Sequence, residues 1–125
     1  MVSDDWKWLW EPNRVEFEHA GLKCFIMRDR FLFLGGYVGL SEGHPYYRRH
    51  FKDIDAKAHD GLTFSGRGDG ERREKDYWWV GFTCDRPADL VPSRPHPLRG
   101  DEVYRDIDYV RGEVEKLAEQ LRAKV

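Results

Sequence analysis

The C-terminal part of the chain carries the pattern that most restricts how this sequence can fold. Apolar residues recur there at alternating spacings of four and three, at Val103, Ile107, Val110, Val114, Leu117 and Leu121. This spacing puts all of them on one face of an α-helix, for which Asp101 is the expected N-cap. Such a stripe needs to be buried, so we predict that it packs on a sheet; the alternative is a homodimer in which two such helices pair.

The residues before this helix predict the strands of that sheet. Residues 15–19 alternate apolar and charged side chains, as in a half-buried strand, and Ala20-Gly21 predicts a turn into a second strand over residues 22–27. A third apolar run, residues 31–38, would complete a meander. The glycine pair inside this run, Gly35-Gly36, indicates either a bulge or a place where another group comes close to the backbone.

The middle of the chain adds a further strand and several loops. Residues 77–83 are aromatic on both faces, which favours a central strand that is covered on two sides or lines a pocket. Residues 56–59 and 62–65 predict a hairpin around Asp60-Gly61. Residues 66–76 contain no side chain able to anchor a core, so we expect an exposed, mobile loop.

These elements predict the fold class α+β. The expected architecture is an antiparallel, meander-type sheet packed against one C-terminal amphipathic helix, in a single domain over residues 1–125.

Composition restricts the partners and the location of the protein. The formal net charge of −2 supplies no overall field that would attract the chain to double-stranded DNA. Cys24 and Cys84 lack the spacing of a zinc motif and fit the reduced thiols of a cytoplasm. No apolar run approaches the roughly 20 residues of a membrane span, and the N-terminus does not resemble a signal peptide. We therefore expect a soluble, cytoplasmic protein.

Four segments together resemble a known protein family. They read GGYVGLSEGHPYY over residues 35–47, HDGLTFSG over 59–66, WWVGFTCD over 78–85 and YRDIDYVRGEVEKLAEQL over 104–121. The combination is similar to a family of small uncharacterised proteins of bacteriophages and their bacterial hosts, whose motifs are GYVG..GHP, HGGLTF, WWFGFDC and a C-terminal YRD..YV helix. The resemblance implies a phage or prophage accessory protein in the bacterial cytoplasm, for which an anti-defence role would be natural.

The chain departs from this family pattern at three positions. Asp60 stands where the family usually has Gly, Thr83 where it has Asp, and Arg86 near the place of its His. If the family uses that Asp and His for metal binding or proton transfer, this chain lacks both.

Histidines and acids are the candidate metal ligands. The set comprises His44, His50, His59 and His96, with Asp53, Asp55, Asp60 and Asp85. No pair among them has the spacing of a helical or CxxC-like metal motif, so we expect no metal and no other cofactor. Without a metal, His44 is expected to pack beside Tyr46, and His59 to hydrogen-bond the backbone at a turn.

Two shorter motifs point to other chemistries but lack the required context. Residues 39–43 match the GxSxG of a serine hydrolase, yet His44-Pro45 follows where a helix is needed. The glycine-rich stretch of residues 66–70, with several nearby arginines, could cradle a phosphate, but no apolar helix follows to offer its N-terminus.

The ligand site that we predict joins three segments. Residues 46–52 interleave aromatic and basic side chains, which is chemistry that stacks bases and holds phosphates. Together with the turn at residues 59–63 and the aromatic strand, they predict one pocket. Its predicted ligand-binding residues are His44, Tyr46, Tyr47, His59, Thr63, Trp78 and Trp79.

Three functions compete at this point. We favour a non-enzymatic protein that binds a small polar or nucleotide-like ligand, or a host protein, and we single out no catalytic residue. The first alternative is a small metal-dependent hydrolase using His44, His59 and Asp60. The second is a structural protein that forms a homodimer through its C-terminal helix.

Overall fold

Strands and one long helix alternate with loops along the chain. A computed structural model describes residues 4–95 and 99–125. Within this part the strands are β1 (Arg14–His19), β2 (Leu22–Arg28), β3 (Leu34–Leu40), β4 (Phe64–Arg67) and β5 (Trp78–Thr83), and the α-helix is α1 (Ile107–Arg122). Short 3-10 helices cover Asp4–Leu9 and Phe51–Asp53. The strand order is β1-β2-β3-β5-β4 and all neighbours are antiparallel, so the predicted α+β class with one C-terminal helix is confirmed.

The meander of β1, β2 and β3 matches the sequence pattern, but β3 begins later than predicted. Residues 31–33 form a turn in which the Leu32 N–H donates to Asp29 O and the Asp29 N–H to Phe33 O. Leu32 takes a positive φ of 76°, which a branched side chain rarely adopts. The turn therefore replaces the first part of the expected strand.

The glycine pair in β3 marks a close approach and not a bulge. Gly35 and Gly36 lie in unbroken register with β5, opposite Thr83 and Phe82. A Cβ atom on Gly36 would collide with the side chains of Val114 in α1 and of Phe82. Gly36 thus lets the helix sit directly on the sheet, whereas a Cβ atom on Gly35 would meet the Tyr37 side chain.

The predicted hairpin around Asp60-Gly61 is wrong, although both residues do have the expected positive φ. Residues 54–58 form no strand. Instead, the Lys57 backbone exchanges two hydrogen bonds of 2.7 Å with the Gln120 side chain of α1. The side-chain amide of Gln120 thus satisfies the N–H and C=O of Lys57, which strand pairing would otherwise have used. β4 pairs with β5, which is a central strand as predicted.

Helix α1 buries its apolar stripe against the sheet, as predicted, but it starts one turn later. Its N-cap is Asp106, whose carboxylate accepts from the Tyr109 N–H, and not Asp101. Val103 lies before the helix and is 51% exposed. The buried face comprises Val110, Val114, Leu117, Ala118 and Leu121, so this stripe is not free to pair with a second copy of the chain.

The second face of the sheet carries a smaller aromatic cluster. Phe25, Tyr37 and Trp79 are buried there. We predicted an exposed loop without an anchor over residues 66–76. Gly66 and Arg67 instead belong to β4, and residues 68–76 fold back over this cluster. The Arg73 guanidinium lies 4.2 Å from the Phe64 ring centroid, and Trp79 Nε1 donates to Glu74 O at 2.9 Å. Arginine stacking anchors the loop where apolar side chains are lacking.

None of the helices in the described residues combines the length and the apolar character that crossing a bilayer requires.

Candidate functional site

His44 serves the end of the helix. Its Nδ1 accepts the Tyr46 N–H at 2.9 Å, so the proton is on Nε2, which donates to Leu121 O at 2.8 Å. Both ring nitrogens are thus used, and the side chain is buried. His44 thus gives the Leu121 carbonyl, in the last helical turn, a second donor beside the Lys124 N–H at 3.2 Å.

His59 belongs to a buried polar cluster around Asp89, a residue that sequence reasoning did not single out. Its Nε2 donates to Asp89, 2.7 Å from Oδ2, and its Nδ1 lies 2.6 Å from the Tyr109 hydroxyl. Asp89 is fully buried and also accepts from Arg105 Nε at 2.8 Å and from the Arg86 N–H at 3.0 Å. We call Asp89, His59, Arg105 and Tyr109 the Asp89 network.

Hydrogen bonds within the network offset the effect of burial on the pKa values of its charged groups. Burial alone would raise the pKa of the Asp89 carboxyl, but the hydrogen bonds from His59 and Arg105 lower it below its ordinary value. Burial likewise works against the Arg105 charge, yet Asp89 leaves the pKa of the guanidinium raised. A buried carboxylate with a cation and several donors around it is satisfied by the protein alone.

The Asp89 network adjoins the one group of potential metal ligands found among the described residues. Ligand atoms of His59, Cys84 and Asp89 all lie within 4.8 Å of one another. However, both carboxylate oxygens already accept hydrogen bonds, and Arg105 occupies the side where a cation would be needed. Burial also raises the pKa of the Cys84 thiol, which disfavours the thiolate that a metal requires. The donor set therefore fits a structural network better than an ion site.

The structure does not bring the predicted hydrolase residues together. His44 contacts Leu121 and His59 contacts Tyr109, positions separated by about 18 Å along α1 at roughly 1.5 Å per residue. Asp60 is exposed and pairs with Arg86 Nε at 3.5 Å. Of the other candidate histidines, His50 caps a 3-10 helix, and His96 lies outside the described residues.

The two tryptophans of the predicted pocket lie on opposite faces of the sheet, because neighbouring strand residues alternate. Trp79 is buried in the aromatic cluster of the second face. Trp78 lies on the helix side, where its Nε1 donates to Arg49 O at 2.8 Å and its ring is 6.5 Å from that of Tyr47. They do not form one stacking wall.

The remaining predicted ligand residues have local partners. The Tyr46 hydroxyl accepts the Asp55 N–H at 3.3 Å, and the Thr63 and Thr83 hydroxyls lie 3.2 Å apart. Of the residues predicted to bind a ligand, Tyr47 and Trp78 are near each other and partly exposed. The single pocket that would unite the three segments is not formed.

A different concave surface lies at the end of the sheet where β2 ends, β3 begins and β5 ends. One hollow of about 590 Å³ is lined by Met27, Arg28, Asp29, Arg30, Phe31, Phe33, Arg72 and Asp85. An adjoining hollow of about 360 Å³ shares Phe31, Phe33 and Asp85 and adds Val91, Ser93 and Arg94. We call the two together the arginine groove. Their volumes fall within the range of small-molecule sites.

Arg28 is the buried member of the arginine groove. Its side chain is only 4% exposed. Nε donates to Asn13 Oδ1 at 3.0 Å, and Nη1 donates to Leu32 O and to the Tyr104 hydroxyl. Nη2 has no hydrogen-bond partner among the described residues, since its nearest acid, Glu11 Oε1, is 3.7 Å away. Nη2 is thus paired with the Glu11 carboxylate through charge alone, and Arg28 contributes a buried positive charge to the wall of the groove.

The other arginines of the groove also have unused hydrogen-bond donors. Arg94 Nη1 is a second buried guanidinium nitrogen without a hydrogen-bond partner in the described structure. Arg30 and Arg72 are exposed, and neither forms an ion pair with a described residue. The strained turn at Leu32, with its positive φ, sets the positions of Phe31 and of the carbonyl that holds Arg28. Strained backbone is often found at ligand sites.

Sequence reasoning missed the arginine groove for a topological reason. A local signal existed in the run Arg28-Asp29-Arg30-Phe31, where charged and aromatic groups follow one another at a strand end. The residues that complete the groove, Arg72, Asp85 and Arg94, come from loops far along the chain.

Fold and groove together define a small α+β protein with a ligand-sized hollow at one end of an antiparallel sheet. A scan of protein-family models, a search of curated proteins and a search of solved structures each found no match to the chain.

Proposed function

We propose that this chain is a non-enzymatic binding protein that holds a small anionic ligand in the arginine groove. The observation that carries the proposal is the set of four arginines that line the groove, of which Arg30 and Arg72 are exposed and form no ion pair with a described residue. An oxyanion would supply a partner for these two guanidinium groups, and charge-assisted hydrogen bonds to guanidinium are among the strongest in proteins.

The charge inventory of the groove supports the same ligand class. Four arginines line it against two carboxylates, those of Asp29 and Asp85. The excess of positive charge is local, since the whole chain carries a formal charge of −2. A ligand with one or two negative charges would therefore complement the groove.

Binding without catalysis is favoured by the groups that the groove lacks. No histidine or cysteine lines it in the described part of the chain. The Asp89 network, which has acid–base groups, closes on itself, and the hydrolase set of His44, His59 and Asp60 is dispersed. The groove thus offers positioning and charge, and its two carboxylates, Asp29 and Asp85, have no histidine or cysteine beside them in the lining.

The biological setting is a separate part of the proposal. The resemblance of the four sequence segments to phage and prophage proteins supports an accessory role, with anti-defence activity by capture of a small ligand as one form. Binding of a host protein is the competing form. Expression of the chain in bacteria challenged with phage would test this setting independently of the groove.

Thermal unfolding of the full chain tests the groove. We expect pyrophosphate and phosphate to raise Tm in a concentration-dependent way, beyond sodium chloride at equal ionic strength. The double variant R30A/R72A should weaken pyrophosphate binding about tenfold, because two charge-assisted contacts are lost.

The matched control is R49A/R122A, which removes the same charge from exposed arginines outside the groove. It should bind pyrophosphate like the wild type. If no anion raises Tm beyond chloride, or if both double variants weaken binding equally, the arginine groove is not the ligand site.

A further inference from the structure

The arginine groove contains an apolar surface that a simple anion would not use. Phe31 is 50% exposed, although most other phenylalanines of the chain are buried or partly buried. The guanidinium of Arg30 lies 4.9 Å from the Phe31 ring centroid, and Phe33, 9% exposed, lines the same hollow. The guanidinium lies over the ring, so a flat group that stacks on Phe31 would take the place of Arg30 or cover the opposite face.

The two carboxylates of the groove add a second requirement. Asp29 Oδ1 accepts the Phe31 N–H at 2.9 Å, and Asp85 Oδ1 accepts the Thr83 hydroxyl at 2.8 Å. The Oδ2 atoms of both residues accept no hydrogen bond from a described residue. Carboxylates repel a bare anion but accept hydrogen bonds from hydroxyl or amino groups. The ligand therefore needs donors as well as negative charge.

On the basis of the proposed anion site, we infer that the ligand is a nucleoside phosphate. Its phosphate meets the arginines, its base stacks on Phe31, and its ribose hydroxyls or base amino group donate to Asp29 or Asp85. A sugar phosphate lacks the flat ring, and a nucleoside lacks the anion. The combined hollows, of about 590 and 360 Å³, suit a single nucleotide better than an extended strand.

Calorimetric titration of the full chain with four probes tests this inference: AMP, ribose 5-phosphate, adenosine and inorganic phosphate. AMP should bind at least fivefold more tightly than ribose 5-phosphate, which is the lower range of base stacking on an aromatic side chain. Adenosine should bind more weakly than AMP, because it lacks the anion.

Two variants test whether the base stacks on Phe31. F31A should lower the affinity for AMP to that for ribose 5-phosphate and leave the affinity for ribose 5-phosphate within about twofold. W10A removes an aromatic side chain that is 84% exposed and lies outside the groove, and it should leave AMP binding unchanged.

The outcomes separate the two proposals. If ribose 5-phosphate binds as tightly as AMP, or if F31A binds AMP like the wild type, the nucleotide assignment is wrong while the anion site stands. Tighter binding of a single-stranded oligonucleotide than of AMP would likewise overturn it in favour of nucleic acid. If none of the phosphates binds, the anion site itself fails.

Discussion

Asp89 Oδ2 lies 2.7 Å from His59 Nε2 in the interior of the protein, and each residue comes from a loop. The pair joins the turn after residue 58 to the segment that follows β5, and Arg105 extends the connection to the segment before α1. One carboxylate thus links three loops. Two of them are also joined by backbone hydrogen bonds, from the Leu90 N–H to Val103 O at 2.8 Å and from the Val103 N–H to Ala88 O at 3.0 Å.

Replacement of Asp89 by asparagine should therefore destabilise the protein strongly. The variant D89N leaves Arg105 and His59 without their anion, and breaking a buried charged pair on one side costs about 3–5 kcal/mol. Urea unfolding at pH 7 measures the change. The control D60N alters an exposed aspartate next to His59 in sequence and should change the free energy of unfolding by less than about 0.5 kcal/mol.

The same carboxylate predicts a pH dependence. Hydrogen bonds hold the folded pKa of Asp89 below its ordinary value, so the unfolded chain binds a proton more readily. The resulting stabilisation is complete above about pH 5 and is lost as the pH falls from there through the lowered folded pKa. Asp106, whose pKa is also lowered, contributes in the same direction. The difference in unfolding free energy between wild type and D89N should shrink between pH 5 and roughly pH 3; a constant difference would refute this origin.

Because α1 packs on β3, alanine substitutions at Gly36 and Gly112 should change the stability in opposite directions. The G36A variant adds a methyl group where Val114 and Phe82 already lie, and overpacking a stiff core site costs about 1–3 kcal/mol. The G112A variant adds one within α1, where nothing lies within 4 Å, and should stabilise the protein by up to about 1 kcal/mol. Urea midpoints compare the two. Equal effects would mean that the helix does not rest on Gly36.

The pattern of Gly35-Gly36 also shows how far local sequence reaches. Its close-approach interpretation is correct, but only the fold says that the approaching group is Val114, a residue far along the chain. The strands β1 and β2 and the helical stripe were predictable because their periodicity is contained in the elements themselves. The helix start was not. Asp101 and Asp106 both precede apolar residues, and contacts from the N-terminal segment favour the second.

Contacts from the N-terminal segment explain why Asp106, and not Asp101, caps the helix. Lys7 Nζ lies 2.9 Å from Asp106 Oδ2, and the Ile107 N–H donates to Glu11 Oε2 at 2.7 Å. Two groups from the beginning of the chain thus complete the cap of its last helix. The Asp89 network and the arginine groove have the same character, because residues from separate loops meet only after the sheet has formed. The periodicity of apolar residues does not indicate which separate loops will come into contact.

Both cysteines should be unreactive in the folded protein. Burial raises the pKa of the Cys24 thiol to about 12 and also raises that of Cys84, so little thiolate exists at pH 8. We expect a thiol reagent such as DTNB to modify neither residue in native buffer and both in concentrated urea. Rapid modification of one thiol in the native state would show an open path to the interior. Separate C24S and C84S variants would identify which thiol reacts.

His44 remains a predicted ligand residue, and its contacts allow that role to be separated from a structural one. Its hydrogen bonds to Leu121 O and Tyr46 N predict that H44A lowers the free energy of unfolding by about 1–3 kcal/mol, since the buried imidazole is removed and Leu121 O keeps only its backbone donor. The control H50A removes an exposed histidine whose ring accepts one local N–H, and it should cost about 1 kcal/mol or less. Calorimetry with pyrophosphate supplies the second readout. If His44 only caps α1, H44A lowers the stability and leaves the Kd for pyrophosphate unchanged. A purely structural cap does not contact the bound anion. A Kd that rises in H44A but not in H50A would therefore place the ligand at the loop of residues 44–47.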